Sequence, residues 1–340
     1  MRRLVGIFVA ACFYYSGLVR LARWWSQRSG PCLIILNYHR ASGGDLRRHL
    51  LYLRRHYRML HLEEALEELY APVGESKQGR NQRSPLVLTF DDGYHDNYTH
   101  AFALACELHV PITIFLIPGY VQCGDHFWWL EGRRLAHYAQ VDNVTLEGRI
   151  YHLEQAQERR SLAQAIDARL RHASSVAERE TFLANVREIL AVPSSGTTET
   201  ARPLTWAEVR EMAESGWVSF GAHTMHHPIL AYLSCQEEVR CEVAECRDML
   251  EQQLGYAVRT FAYPVGRTEH IGNIALQAVR EAGYTWAVTT SNSVTTPQSD
   301  PHQLPRVLGD VSRHWLVMAA ETSGIWHFFS PLWKWKTPPA

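Results

Sequence analysis

Six short runs of apolar and β-branched residues punctuate the chain: Cys32–Tyr38, Leu86–Phe90, Ile112–Ile117, Val218–Gly221, Thr260–Tyr263 and Thr285–Thr289. Each stops at polar or glycine-containing residues. Runs this short and this continuous predict strands buried on both faces. The segments between them carry helical spacing and helix-end signals. Thr205 with Glu208 predicts a capping box whose helix stops at Gly216. Ser234 with Glu237 predicts a second box, with Val239, Val243 and Leu250 on one face and Gly255 as the stop. A further helix carries Ile274, Ala278 and Val279 and ends at Gly283. Strand alternating with helix predicts an α/β fold around a parallel sheet, either a barrel or an open sheet.

One region departs from the alternation. From Asp125 to Val192 no strand pattern stands out, while Leu162, Ile166, Leu170 and then Phe182, Val186, Leu190 follow helical stripes. Pro193 opens a polar stretch through Arg202. The expected organisation is an N-terminal segment 1–30, an α/β domain split into 31–124 and 203–312, a helical insertion and linker 125–202, and an aromatic tail 313–340. That tail carries Trp315, Trp326, Trp333 and Trp335 with Phe328 and Phe329, suited either to packing on the core or to a membrane surface.

Leu4 to Val19 is uncharged, with Arg2 and Arg3 before it and Arg20 and Arg23 after it. As one helix it would be ~24 Å long, short of a ~30 Å hydrocarbon core. Trp24 and Trp25 with the arginines suit headgroup depth. We therefore expect a membrane anchor or interfacial helix here; the rival readings are a signal peptide, which lacks a clear cleavage site, and a buried helix. Arginines at both ends do not orient the chain, so membrane association is expected with the cytoplasmic or periplasmic side left open.

Composition narrows the partners. The 340 residues are 46% hydrophobic and 20% charged with a net charge of -1, which excludes a disordered chain and gives no bulk basic field for nucleic acid. Seven cysteines, an odd number and without a CxxC pair, read as packing residues and lean towards a reducing compartment.

The chemistry concentrates at two strand ends. Leu86–Phe90 runs into Asp91, Asp92 and Gly93. Regular alternation would send the two carboxylates to opposite faces, so their convergence requires a bend, which Gly93 permits. Taken alone, the same residues describe a plain Asp-Gly turn. Val218–Gly221 runs into His223, His226 and His227, and the spacing of His223 and His227 lets two imidazoles reach one ion while His226 points elsewhere. Two His and one Asp with an open position are typical of catalytic metal sites. The second aspartate is then available to take a proton from the attacking water.

These residues resemble a known family. Thr89-Phe90-Asp91-Asp92-Gly93 together with His223-Thr224-Met225-His226-His227-Pro228 resembles the polysaccharide deacetylases, carbohydrate esterase family 4 with the NodB-homology domain. Tyr94, Asp96, Asn97 and Tyr98 extend the first motif, and Phe261-Ala262-Tyr263-Pro264-Val265-Gly266 resembles a third. The likeness covers residues 32 to 310, and the N-terminal segment with the insertion is similar, more loosely, to exopolysaccharide-associated variants. It implies a distorted (β/α) barrel of about seven strands. It implies Asp91 as base, and Asp92, His223 and His227 as ligands of a divalent metal, most readily Zn²⁺. It implies an N-acetylated glycan as substrate, contacted by Tyr94, Tyr263, Pro264 and Val265, with a backbone N–H near Val265 holding the oxyanion. Two departures stand out. Many family members have an arginine where this chain has Ala262, and Arg306 is the candidate replacement. The late Leu-x-His motif is not evident, and His39 of Asn37-Tyr38-His39 is the candidate general acid, unless it merely caps the first strand. The alternatives are an amidohydrolase acting on a smaller amide and an inactive glycan-binding module. Oligomeric state is not readable.

Overall fold

Residues 2–72, 83–192 and 202–325 are described in the computed structural model. The chain opens with α1 (Arg2–Tyr15) and α2 (Leu18–Arg28), then β1 (Ile34–Tyr38), α3 (Leu46–His56), β2 (Arg58–Met59), α4 (Leu62–Tyr70) and β3 (Pro85–Phe90). A wide π-type turn, Asn97–Phe102, leads into α5 (Ala103–Leu108), β4 (Ile112–Leu116) and α6 (Pro118–Cys123). Next come α7 (Trp128–Tyr138), β5 (Asn143–Leu146), β6 (Arg149–His152), α8 (Ala156–Arg171) and α9 (Val176–Ile189). The chain then returns through α10 (Trp206–Glu214), β7 (Val218–Ala222), α11 (Gln236–Leu254), β8 (Thr260–Ala262), α12 (Thr268–Glu281), β9 (Trp286–Val288), β10 (Val307–Leu308) and α13 (Trp315–Thr322).

Seven strands form a curled parallel half-barrel in the order β10-β1-β3-β4-β7-β8-β9, and β2 pairs with the start of β3. This is the distorted barrel that the family resemblance implies, the strand pattern alone having left barrel or open sheet undecided. β1, β3, β4, β8 and β9 are buried along their whole length because both faces of the sheet are covered there. Leu36, Leu88, Ile114 and Phe220 pack outwards against Leu50, Ala105, Val209 and Val243 of the surrounding helices. Ile35, Val87, Phe115 and Val288 point inwards, where Leu62, Leu66 and Leu69 of α4 fill the concave side. At Gly221 a Cβ would lie 2.5 Å from both the Phe115 ring and the Thr260 hydroxyl, so only glycine admits the close approach of β7 to its neighbours.

Several expectations need correction. The insertion is not purely helical, because β5 and β6 form an antiparallel hairpin. Its two-residue turn has φ 49° at Glu147 and 81° at Gly148, the pair of positive angles that twisted hairpins favour. The insertion builds its own core from Phe127, Leu135, Ile166, Leu183 and Val186, which meets the barrel at Tyr94, Ile117 and Tyr120. Ser234 does not cap α11; its hydroxyl donates to Ser174 O, and the helix starts after Cys235. The Thr205–Glu208 box is formed as expected. On α12 it is Ile271, Ala275, Ala278 and Val279 that face the core, with Ile274 exposed, since Gly272 (φ 76°) breaks the helix and rotates the face. Much of the 193–202 linker and the tail beyond Ile325 lie outside the described residues.

The N-terminal run is not one continuous helix. Gly17 at φ 84° separates α1 from α2, which are bent by 71°. No single described helix is long and apolar enough to cross a membrane, and this bent pair passes that test only together. Ala10, Val19 and Ala22 pack on Leu316, Ala320 and Ile325, so the first part of the aromatic tail is a helix that seats the N-terminal pair.

Candidate active site

The inner face of β3 carries Val87, Thr89 and, by period-two alternation, Asp91 just past the strand end. Asp92 would point away, but its own φ of 73° and that of Gly93, 70°, turn the chain back. The bend thus falls on the aspartate as well as on the glycine. Thr224 (62°), His227 (56°) and Val265 (60°) also hold positive φ without being glycine. Such conformations are costly and gather at functional sites. The loop after β7 is held by its own polar groups. Thr224 Oγ1 accepts from His227 N at 3.0 Å and donates to His223 O at 2.6 Å. Glu242 of α11 accepts from the His226 backbone at 2.8 Å and pairs with its ring at 2.6 Å, which directs His226 away from the centre.

Asp92, His223 and His227 converge. Asp92 Oδ1 lies 3.5 Å from His223 Nε2 and 3.6 Å from His227 Nε2. One donor atom from each falls within 4.8 Å of the others, and all three residues are buried. His223 Nδ1 lies 2.7 Å from Ala262 O. A carbonyl only accepts, so Nδ1 carries a proton, and Nε2 is the ring atom turned to Asp92. Burial, then the nearby His223, lowers the His227 pKa to about 3, which keeps that ring neutral. Burial alone would lower the His223 pKa, but Asp92 and Asp91 reverse this and raise it. Two imidazole nitrogens and one carboxylate oxygen, with His223 oriented through Ala262 O and the buried His227 Nδ1 without a hydrogen-bond partner among the described residues, fit a divalent cation.

Asp91 is a separate carboxylate with a separate partner. Arg306 donates to it in a fork, Nη1 to Oδ1 at 2.7 Å and Nη2 to Oδ2 at 2.8 Å, with both side chains buried. The guanidinium is itself fixed by Thr289 O at 2.9 Å and Thr89 Oγ1 at 3.2 Å. Burial alone would raise the Asp91 pKa, but Arg306, with His223 and His39 behind it, holds the carboxyl well below the usual range. The arginine thus reaches the carboxylate from the far end of the chain, while Ala262 lies in the inner core. His39 Nε2 is 4.0 Å from Asp91 Oδ2, and its side chain is 44% exposed.

The substrate-contact expectations divide. Val265 is half-buried at the mouth, its carbonyl held by the Thr290 hydroxyl at 2.8 Å. Pro264 is buried beside it. Tyr263 is a correction: its ring lies in the core, 1% exposed, and its hydroxyl donates to His302 O at 3.0 Å. That hydrogen bond ties the loop to the segment carrying His302. Tyr94 is also buried, accepting at its hydroxyl from Trp129 Nε1 at 2.7 Å and stacking under Arg40 at 4.4 Å.

Other residues at the site were not singled out by the sequence. Trp129, from the insertion, lies with its ring centroid 4.4 Å from that of His227, and Trp128 Nε1 donates to His227 O at 2.9 Å. Asp96, fully buried, gathers Arg40 Nε (2.9 Å), the Ala41 and Ser42 amides (each 3.2 Å) and the Ser42 hydroxyl (2.7 Å), while Asn97 Nδ2 donates to His39 O at 3.0 Å. These two residues fix the loop that carries His39. Asp96 and Asn97 were visible as part of the first motif, but the use of their side chains was not.

Comparison with known proteins places the chain in a family. The chain is 22% identical over 287 residues, 83% of its length and 74% of the relative's, to YxkH of Bacillus subtilis, whose name carries a provisional polysaccharide deacetylase assignment. The fold is similar to that of the Streptococcus pyogenes deacetylase PplD, solved in complex with acetate, with a TM-score of 0.54 and 18% identity over 86% of this chain and 99% of that one. IcaB from Ammonifex degensii gives a TM-score of 0.53 and 20% identity over 86% and 98%. Residues 78–287, more than half of the chain, match the polysaccharide deacetylase domain. The chain therefore belongs to the polysaccharide deacetylase family, hydrolases of N-acetyl amide bonds.

Proposed function

We propose that this protein removes N-acetyl groups from amino sugars of a polysaccharide or its precursor, with Asp92, His223 and His227 as ligands of a divalent metal. The observation that carries the reading is the buried convergence of Asp92 Oδ1 with two imidazole nitrogens, beside a second carboxylate held apart by its own arginine. Zinc suits two nitrogens and one oxygen in a site with an open position. A divalent cation there supplies Lewis acidity and brings the pKa of water from ~15.7 towards ~7.

The chain's own residues do the rest. Asp91, kept ionised by Arg306, accepts a proton as water attacks the acetyl carbon. The Val265 loop, with its positive φ, is suited to present a backbone N–H to the developing oxyanion. His39, open to the mouth, donates a proton to the departing nitrogen. The C–N bond breaks, and acetate and a free amine leave. Trp129, lying against His227, offers an aromatic wall on which a sugar ring stacks.

Two further readings stand beside this one. Binding without turnover would require a lost base or ligand, and Asp91, Asp92, His223 and His227 are all in place. A smaller amide makes less use of the wall built by the insertion. The test is acetate release from N-acetylglucosamine oligomers. Activity should fall to background after dialysis against a chelator and return with Zn²⁺ or another divalent ion. Undiminished release from demonstrably metal-free protein would overturn the reading.

A further inference from the structure

Away from the catalytic centre, α2, the end of α3 and the approach to β3 enclose a groove of about 290 Å³. Four arginines line it, Arg20, Arg23, Arg55 and Arg83, together with Trp24 and His56. No acidic residue contributes to its walls. Among the described residues, none of the four arginines forms an ion pair. Arg23 donates to the Tyr52 hydroxyl at 3.1 Å and Arg83 to Arg54 O at 3.1 Å, contacts that position guanidinium groups without neutralising them. Burial, then the charges of Arg23, Arg55 and Arg83, lowers the His56 pKa to about 4, in keeping with a concentrated positive field. Arginine forks match phosphate oxygens in shape as well as charge.

An apolar surface adjoins this groove. Leu4, Phe8 and Tyr15 on α1 are 72%, 68% and 76% exposed, and Leu18, Leu21 and Trp25 on α2 are 38%, 56% and 57% exposed. On α2 the spacing of those three puts them on one stripe, while Val19 and Ala22 face the protein. A helix fastened to its domain on one side, apolar on another and rich in arginine on a third has the pattern of one lying in a membrane interface. Trp24 and Trp25 suit headgroup depth, and Arg28 lies 3.9 Å over the Trp24 ring.

We propose that α1, α2 and the end of α3 form a membrane-docking face, and that the four-arginine groove binds the phosphate of an anionic lipid headgroup. The groove supplies charge and the stripe supplies apolar burial, and each is complementary to a phospholipid surface. Arg83 lies two residues before β3 begins, whereas Asp91 follows directly on its end. The groove is thus at the opposite end of the sheet from the catalytic carboxylates. Docking through it leaves the active-site mouth turned from the lipid and open to a substrate arriving from the aqueous side. The proposal does not depend on the deacetylase chemistry.

The test is flotation of the full chain with vesicles of phosphatidylcholine alone and with added phosphatidylglycerol. The wild type should bind the phosphatidylglycerol vesicles, and more weakly as salt rises. The exposed pair Arg20→Gln/Arg55→Gln should lose binding about tenfold or more, at about 1 kcal/mol per basic residue near an anionic surface. The charge-matched control Arg133→Gln/Arg160→Gln, in the insertion, should bind as the wild type does. Acetate release from soluble oligomers should be unchanged in both. Equal binding of the groove variant and the wild type would overturn the proposal, as would equal binding to both kinds of vesicle. Thermal stabilisation by inorganic phosphate without vesicle binding would identify a soluble phosphate as the ligand and overturn the membrane assignment.

Discussion

The Asp91→Asn protein should retain its fold and its metal while losing acetate release by about 10²–10⁴-fold, the usual weight of a positioned proton acceptor. Asparagine keeps the shape and can still accept from the Arg306 fork through its amide oxygen, but it takes no proton. The proposed ligand atoms belong to Asp92, His223 and His227, not to Asp91, so metal content should stay at the wild-type level. The comparison of kcat with metal stoichiometry separates this role from that of Asp92, whose removal should take the metal away. Wild-type kcat in Asp91→Asn would remove the base assignment.

Arg306→Met should be the most destabilising change at the site, by about 3–5 kcal/mol in urea denaturation at neutral pH, because it leaves a buried carboxylate without its partner. Methionine also abandons Thr289 O and Thr89 Oγ1. The dependence on pH has a definite sign. In the wild type the folded-state pKa of Asp91 is depressed, so its contribution to stability is present above the unfolded value of ~3.9 and is lost as pH falls through the folded value. Without Arg306, burial is opposed only by the weaker influence of His223 and His39, and the folded pKa rises. The variant then loses stability as pH rises through that region, and its deficit against the wild type is greatest at neutral pH. The acid limb of kcat/KM should move to higher pH for the same reason. An Arg306→Met protein of wild-type stability with an unmoved acid limb would show that the fork does not set the state of Asp91.

Much of the barrel was legible because its strands are buried on both faces. Ile34–Tyr38, Pro85–Phe90 and Ile112–Leu116 read as strands without any tertiary information. Arg58–Met59 and Val307–Leu308 did not, since two residues carry no period. The β5–β6 hairpin was missed although Val144 and Leu146 alternate with exposed neighbours, because its turn uses Glu-Gly in place of the commoner Asn-Gly. The N-terminal run hid its break because nothing around Gly17 but the glycine itself marks the bend.

At the site, carboxylates and imidazoles at strand ends were visible as local motifs. Arg306 was reachable only as a missing cation in search of a residue, because its partner lies 215 positions earlier. Trp129 had no such cue: an aromatic inside a helix reads as core, and only the docking of the insertion brings it to His227. Tyr263 failed in the opposite sense. A tyrosine in a motif loop looks like a sugar contact, but alternation from Phe261 and the tie to His302 O turn it into the core.

The most direct test of the account is the location of the metal. Anomalous scattering should be measured at the zinc edge on crystals of wild-type protein soaked in Zn²⁺. The account predicts one strong peak within ligand distance of Asp92 Oδ1, His223 Nε2 and His227 Nε2, and its loss in His223→Ala. Active crystals with no peak there, or with the ion bound by other residues, would contradict it.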